Sequence, residues 1–274
     1  MTWKDKFPKE NRYFETENGI LYKAEAIDTM SKFPKWVFDA IITDPPYWTT
    51  ACKWDSIIPF EDMWRELKRI RKDRTPIVLF GSEPFVATLI SSNINEFREE
   101  IIWLKNKAGS GLQARQKHIK IHEKIIIFSK KCDYTFNPQK WLVEKKEFLT
   151  QRKIFKEMEV GNNIYGRMVK KQKPDSGKRN PISIVSIRTP FTPSKTKKYS
   201  NKVDLRYHPT QKPLALMEYL IKTYTNEWDL VLDFTCGSGT TAVACEKLNR
   251  KWIGIELNEE YCEIAKQRIL NFNT

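Results

Sequence analysis

The stretch VLDFTCGSGTTAVACEKLNRKWIGIE, residues 231–256, decides the fold reading. It opens on an apolar run that ends in Asp233, turns through Gly237, Ser238 and Gly239, and continues into a predicted helix from about Thr240. A second apolar run, KWIGIE over 251–256, ends on Glu256, 19 residues after Gly237. Strand, glycine turn, helix and strand make one βαβ unit. Glycines at such a turn let the backbone approach a ligand closely, and the start of the helix leaves N–H groups that can meet it. An acid at the tip of the neighbouring strand is placed to accept hydrogen bonds from both hydroxyls of a ribose. The unit reads as a binder of an adenosine-containing cofactor.

The strand signal recurs outward from this unit. Runs at 19–27, 37–43, 76–80, 100–104 and 124–129 join 230–234 and 251–256, seven in all. Several are apolar on consecutive residues, as expected of strands covered by helices on both faces. Between them, Phe60, Met63, Trp64, Leu67 and Ile70 fall at helical spacing, as do Leu216, Leu220 and Ile221 behind Pro213. A last helix is predicted after Asn258, a good N-cap, through Ile269. The alternation predicts an α/β fold, a Rossmann-like doubly wound, mostly parallel sheet of seven strands.

With 274 residues and 40% apolar content, the chain can bury the core of one α/β domain, or of one domain with an insertion. It has no apolar run of about 18 residues and no signal-peptide core, so a cytoplasmic protein is expected and membrane association is not. Five scattered cysteines without Cys-x-x-Cys spacing read as reduced thiols, and His118, His122 and His208 lack ligand spacing, so no metal is expected. The net charge of +14 is local: residues 130–206 hold 20 Lys and Arg against 7 Asp and Glu, a net +13. That segment is turn-rich, reads as a basic, irregular recognition insertion, and divides a main domain at 1–129 and 207–274. A confined basic segment implies a polyanionic partner such as nucleic acid.

Gly237, Gly239 and Ala242 satisfy the pattern G-x-G-x-x-G/A, which keeps a nicotinamide or flavin oxidoreductase as a competing reading. Asp233 argues the other way. A carboxylate just before the turn would repel a pyrophosphate but suits the cationic methionine portion of S-adenosylmethionine. A second loop, DAIITDPPYWTT at 39–50, places Asp44 at the carboxyl end of a strand, where ligands bind in open α/β sheets. Pro45 and Pro46 remove two donors and stiffen the turn, leaving the Asp44 carboxylate and the Pro45 carbonyl as acceptors for an amino group. Tyr47 offers a ring for stacking a base.

DPPY at 44–47, HPTQKP at 208–213, DFTCGSGTT at 233–241 and GIE at 254–256 together resemble the motifs of the S-adenosylmethionine-dependent amino-methyltransferases of DNA. Their order resembles the beta class, and the likeness runs from about Ile20 to Leu270 outside the insertion. The resemblance implies catalytic roles for Asp44, Pro45 and Tyr47, with Pro46 shaping the turn. It implies cofactor contacts from Asp28, Thr210, Gln211, Lys212, Asp233, Phe234, Cys236, Gly237, Ser238, Gly239, Thr240 and Glu256. Many of those relatives carry Phe where this chain has Thr235, which alters the apolar wall there.

The implied activity is methylation of adenine N6 in a flipped-out base of double-stranded DNA by a bacterial or phage-encoded enzyme. N4 of cytosine, an RNA substrate and a catalytically silent DNA-binding protein stay open as alternatives. Methylation at cytosine C5 is disfavoured because none of the five cysteines follows a proline. Implied partners are a second copy in a homodimer and a cognate restriction endonuclease. Trp48 and Trp54 are candidates to flank the base, and residues 106–118 are expected to form a loop that closes over DNA.

Overall fold

The computed structural model describes residues 2–47, 57–108, 114–116, 118–142, 178–191, 206–207 and 210–272. Two compact units result, one of Met1–Asn137 with Ser183–Thr274 and one of Pro138–Ile182. In the smaller unit, β7 (Trp141–Leu142) pairs antiparallel with β8 (Lys178–Arg179). Most of the basic segment expected at 130–206, with Trp48, Trp54 and the centre of the 106–118 loop, lies outside the described residues.

The larger unit is built on one sheet of nine strands. These are β1 (Arg12–Glu15), β2 (Gly19–Lys23), β3 (Ala40–Thr43), β4 (Ile77–Gly81), β5 (Phe97–Leu104), β6 (His122–Phe128), β9 (Ile184–Ser186), β10 (Leu230–Asp233) and β11 (Lys251–Glu256). Their order is β1-β2-β11-β10-β3-β4-β6-β5-β9. All seven predicted strands are present and the run from β2 to β4 is parallel, as expected. The count of seven is corrected to nine by the edges. β1 pairs antiparallel with β2, and β9, from inside the segment expected to be irregular, pairs in parallel with β5. β9 is held by register and by Trp103, whose indole N–H donates to the Ile187 carbonyl at 2.8 Å.

Helices cover both faces. Helices α1 (Ala26–Ser31), α2 (Phe60–Ile70) and α3 (Phe85–Ser92) pack one apolar layer, while α4 (Leu214–Tyr224), α5 (Thr240–Lys247) and α6 (Glu259–Phe272) pack the other. The central strands feed both layers alternately. Ile77 and Leu79 go to the first and Val78 and Phe80 to the second, which is why the strands read as unbroken apolar runs. Among the described residues, no helix is long and apolar enough to cross a membrane.

The neighbours β3 and β10 set the place of the site. From β3 the chain passes through α2 to β4 on one side, and from β10 through α5 to β11 on the other. The winding reverses between them, and such a switch point opens a crevice at the carboxyl ends of the strands. Asp44 follows β3 directly and Asp233 ends β10.

Candidate active site

A cavity of about 390 Å³ lies at this switch point. It brings together Asp44, Pro45, Pro46 and Tyr47 from the first loop, Thr210, Gln211 and Lys212 ahead of α4, and Asp233, Phe234, Cys236, Gly237, Ser238, Thr240 and Glu256 from the glycine unit. Two expected residues do not line it. Asp28 is exposed in α1, where its backbone N–H donates to the Glu25 carboxylate at 2.7 Å. The acid that this segment offers the cavity is Glu25, the N-cap residue, whereas Asp28 lies in the first turn of the helix with its side chain exposed. Gly239 shapes the turn from behind: its φ is +76°, and a Cβ there would lie 2.7 Å from the Ala265 Cβ. Only glycine satisfies both conditions without strain.

Gly237 has a φ of +53°, and a Cβ built on it meets nothing within 4 Å. Its N–H donates to one oxygen of Glu256 at 2.8 Å, and the other oxygen accepts from the Asn258 N–H at 2.8 Å. Burial pushes the Glu256 carboxyl up, and the backbone N–H groups of Asn258, Gly237 and Leu257 oppose the rise. The remaining lone pairs of Glu256 can accept hydroxyl donors from a ligand in the cavity.

Asp233 is buried and held by neutral donors. The Thr43 hydroxyl reaches Oδ1 at 2.6 Å, the Thr235 N–H reaches it at 3.2 Å, and the Thr241 hydroxyl serves Oδ2. Burial nevertheless pushes the carboxyl up to about 6. No cation is paired with Asp233 among the described residues, so the site offers an uncompensated anion to a cationic ligand.

Asp44 stands in a different setting. Its oxygens accept from the Tyr47 hydroxyl and from the Lys212 ammonium, whose side chain is 7% exposed. Burial raises the Asp44 carboxyl, Lys212 opposes the rise and Glu123 adds to it. The Tyr47 ring packs against Phe85 at 5.2 Å. Lys212 lines the cavity, and its ammonium sits on Asp44, 3.4 Å from Glu123 and 5.0 Å from the centre of the Phe80 ring.

Thr235 ties the two loops together. Its hydroxyl donates to the Asp44 carbonyl at 3.0 Å and lies 2.7 Å from the Thr43 hydroxyl. A Phe at this position could make neither contact. Thr43, Thr241, Glu25 and Glu123 were missed from sequence. Thr43 carried a usable signal as the last strand residue before Asp44, whereas Glu123 depends on the antiparallel pairing of β4 with β6.

A family model described as DNA methylase, covering the N6 and N4 amino-methyltransferases, matches residues 38–267. The chain belongs to this DNA methylase family. The family is S-adenosylmethionine-dependent. Among relatives, the chain is 28% identical over 259 residues to the type II methyltransferase M.HpaI of Haemophilus parainfluenzae, across 90% of this chain and 72% of that protein. It is 28% identical over 270 residues to the DNA adenine methyltransferase YhdJ of Escherichia coli K12, across 93% of this chain and 84% of that one. The crystal structure of an M1.HpyAVI–SAM complex matches with a TM-score of 0.56 and 27% identity, covering 90% of this chain and 98% of the other. In this DNA methylase, the cavity at the switch point unites the motifs that carried the resemblance.

Proposed function

We propose that this DNA methylase modifies N6 of adenine in double-stranded DNA, with Asp44, Pro45 and Tyr47 acting on the base. The observation that carries the reading is the Asp44 carboxylate at the cavity wall beside Tyr47, one strand away from Asp233. An aspartate heading the tetrapeptide is the form associated with adenine in the family that the motifs resemble, and YhdJ is named an adenine methyltransferase.

The residues fit the cofactor on observations of this chain. Gly237 leaves room where a Cβ would stand, Glu256 keeps acceptor capacity for ribose hydroxyls, and Asp233 presents negative charge without a cation. S-adenosylmethionine supplies the methyl group when bound. Asp44 and the Pro45 carbonyl accept the two amino hydrogens of the base, which localises the nitrogen lone pair as that nitrogen becomes tetrahedral. Tyr47 stacks on the ring, an interaction worth about 1–3 kcal/mol per base and set against the few kcal/mol of flipping it from the duplex. Asp44 need not be a strong base, since the proton it receives becomes acidic only as the nitrogen bonds carbon.

The basic segment 130–206 is proposed to contact the DNA, on the strength of its net charge of +13. Single-molecule sequencing of DNA from cells expressing the protein tests the reading. N6-methyladenine in one sequence context is the expected result, and N4-methylcytosine would overturn the choice of base.

A further inference from the structure

Four charged groups from four elements form a chain beside the cavity: Lys105 at the end of β5, Glu123 in β6, Lys212 before α4 and Asp44 after β3. Their signs alternate. Lys105 pairs with Oε1 of Glu123, and Lys212 pairs with Asp44. The remaining oxygen, Glu123 Oε2, is buried and accepts no hydrogen bond among the described residues. It lies 3.4 Å from Lys212 Nζ, beyond the roughly 2.7–2.9 Å of a charge-assisted hydrogen bond.

A buried carboxylate oxygen without a donor is expensive to keep, and a full charge-assisted partner is within about an ångström of reach. Asp44, by contrast, has both oxygens engaged before any ligand arrives. An ammonium on Oδ2 draws off the negative charge that an incoming amino group would use. Lys212 cannot simply leave, because a buried cation without an anion is strongly disfavoured. Glu123 is the anion within its reach.

We propose that Lys212 is a placeholder on Asp44, and that Glu123 is a positioning residue that receives its ammonium when the target amine enters. The exchange rests on the adenine-amine reading of the site given above. No proton changes hands: Lys212 keeps its charge and passes from one carboxylate to the other, and the Asp44 oxygen it vacates accepts an N–H of the base. Burial raises the Glu123 carboxyl, but Lys212 and Lys105 outweigh it and hold Glu123 below the ordinary carboxylate range, so it is charged and ready as an acceptor.

The test compares Glu123→Gln, Lys212→Met and the double variant with the wild type in single-turnover methylation, alongside calorimetric S-adenosylmethionine binding. Glu123→Gln is expected to slow the transfer by about tenfold, the effect of about 1.4 kcal/mol on the barrier, with cofactor affinity within about twofold of wild type. In the Lys212→Met background the same change is expected to have almost no further effect, because the group it serves is gone. A wild-type rate in Glu123→Gln, or an equal loss in both backgrounds, overturns the exchange.

A ternary structure of the wild type with a substrate oligonucleotide and a non-reactive cofactor analogue decides the matter without variants, should Glu123→Gln fail to fold. Lys212 Nζ on Glu123 Oε2 supports the exchange, and Lys212 still on Asp44 overturns it. A wild type that transfers no methyl group to any DNA would instead remove the parent reading and the exchange with it.

Discussion

Asp44 and Asp233 invite direct comparison. Both are aspartates at the carboxyl ends of adjacent parallel strands, and both line one cavity. Asp233 is surrounded by neutral donors, two threonine hydroxyls and a backbone N–H, which fix the carboxylate without cancelling its charge. Asp44 is matched by an ammonium, which cancels its charge, and by a neutral phenol, which holds the other oxygen. Equal residues in equivalent positions are thus specialised by their partners. One holds an attraction open for a cation, and the other keeps its acceptors covered until a competing donor arrives.

Asp44→Asn is expected to lower the methyl-transfer rate about a thousandfold while cofactor affinity changes by less than about threefold, since its acceptors act on the reacting nitrogen. Asp233→Asn should do the reverse, weakening S-adenosylmethionine about a hundredfold in calorimetry by loss of a partly buried charge interaction. If both variants fail in the same assay, the division of labour is wrong.

A pH series sharpens the contrast further. Burial holds the Asp233 carboxyl up at about 6, above its ordinary range, so the ligand-free fold binds more protons there than the unfolded chain. Stability should therefore decline as pH rises from the ordinary carboxylate range to about 6, then level off. Affinity for the cationic cofactor should move oppositely, rising through the same window by about tenfold, and Asp233→Asn should flatten it. The smallest expected effect is that of Thr235→Val, which keeps shape but loses the bonds to the Asp44 carbonyl and to Thr43. About 1–2 kcal/mol of stability should be lost, measured by denaturant unfolding.

The legible part of the molecule was its centre. Strands such as Ile77–Gly81 carry apolar side chains to both faces, and the glycine turn after Asp233 has a backbone need that only its composition can meet. The edges were less legible. Arg12–Glu15 and Ile184–Ser186 are four and three residues long, too short to show a period, and they become strands because a neighbour presents an open edge. Six-residue α1 likewise lacks two full turns of pattern, and the strand-like run read over 19–27 overlaps its first residues. In the site, Asp44, Asp233 and Glu256 were visible through their motifs. Their partners Thr43 and Glu123 were not, because each meets its acid or cation only after distant strands have paired, whereas Thr241 lies within the glycine unit itself.

The pairing of β3 with β10 also governs how the molecule must come into being. Thr43 and Asp233 are 190 residues apart in the chain, yet their strands are neighbours at the middle of the sheet. During synthesis, the apolar flank of β3 is finished long before its partner exists, and closing so long a loop places the central contact late on the folding path. Until β10 docks, β3 presents a free central edge to other chains, and neither half of the cavity is closed. A nascent copy of this chain would thus be unable to modify DNA until almost all of it has been made.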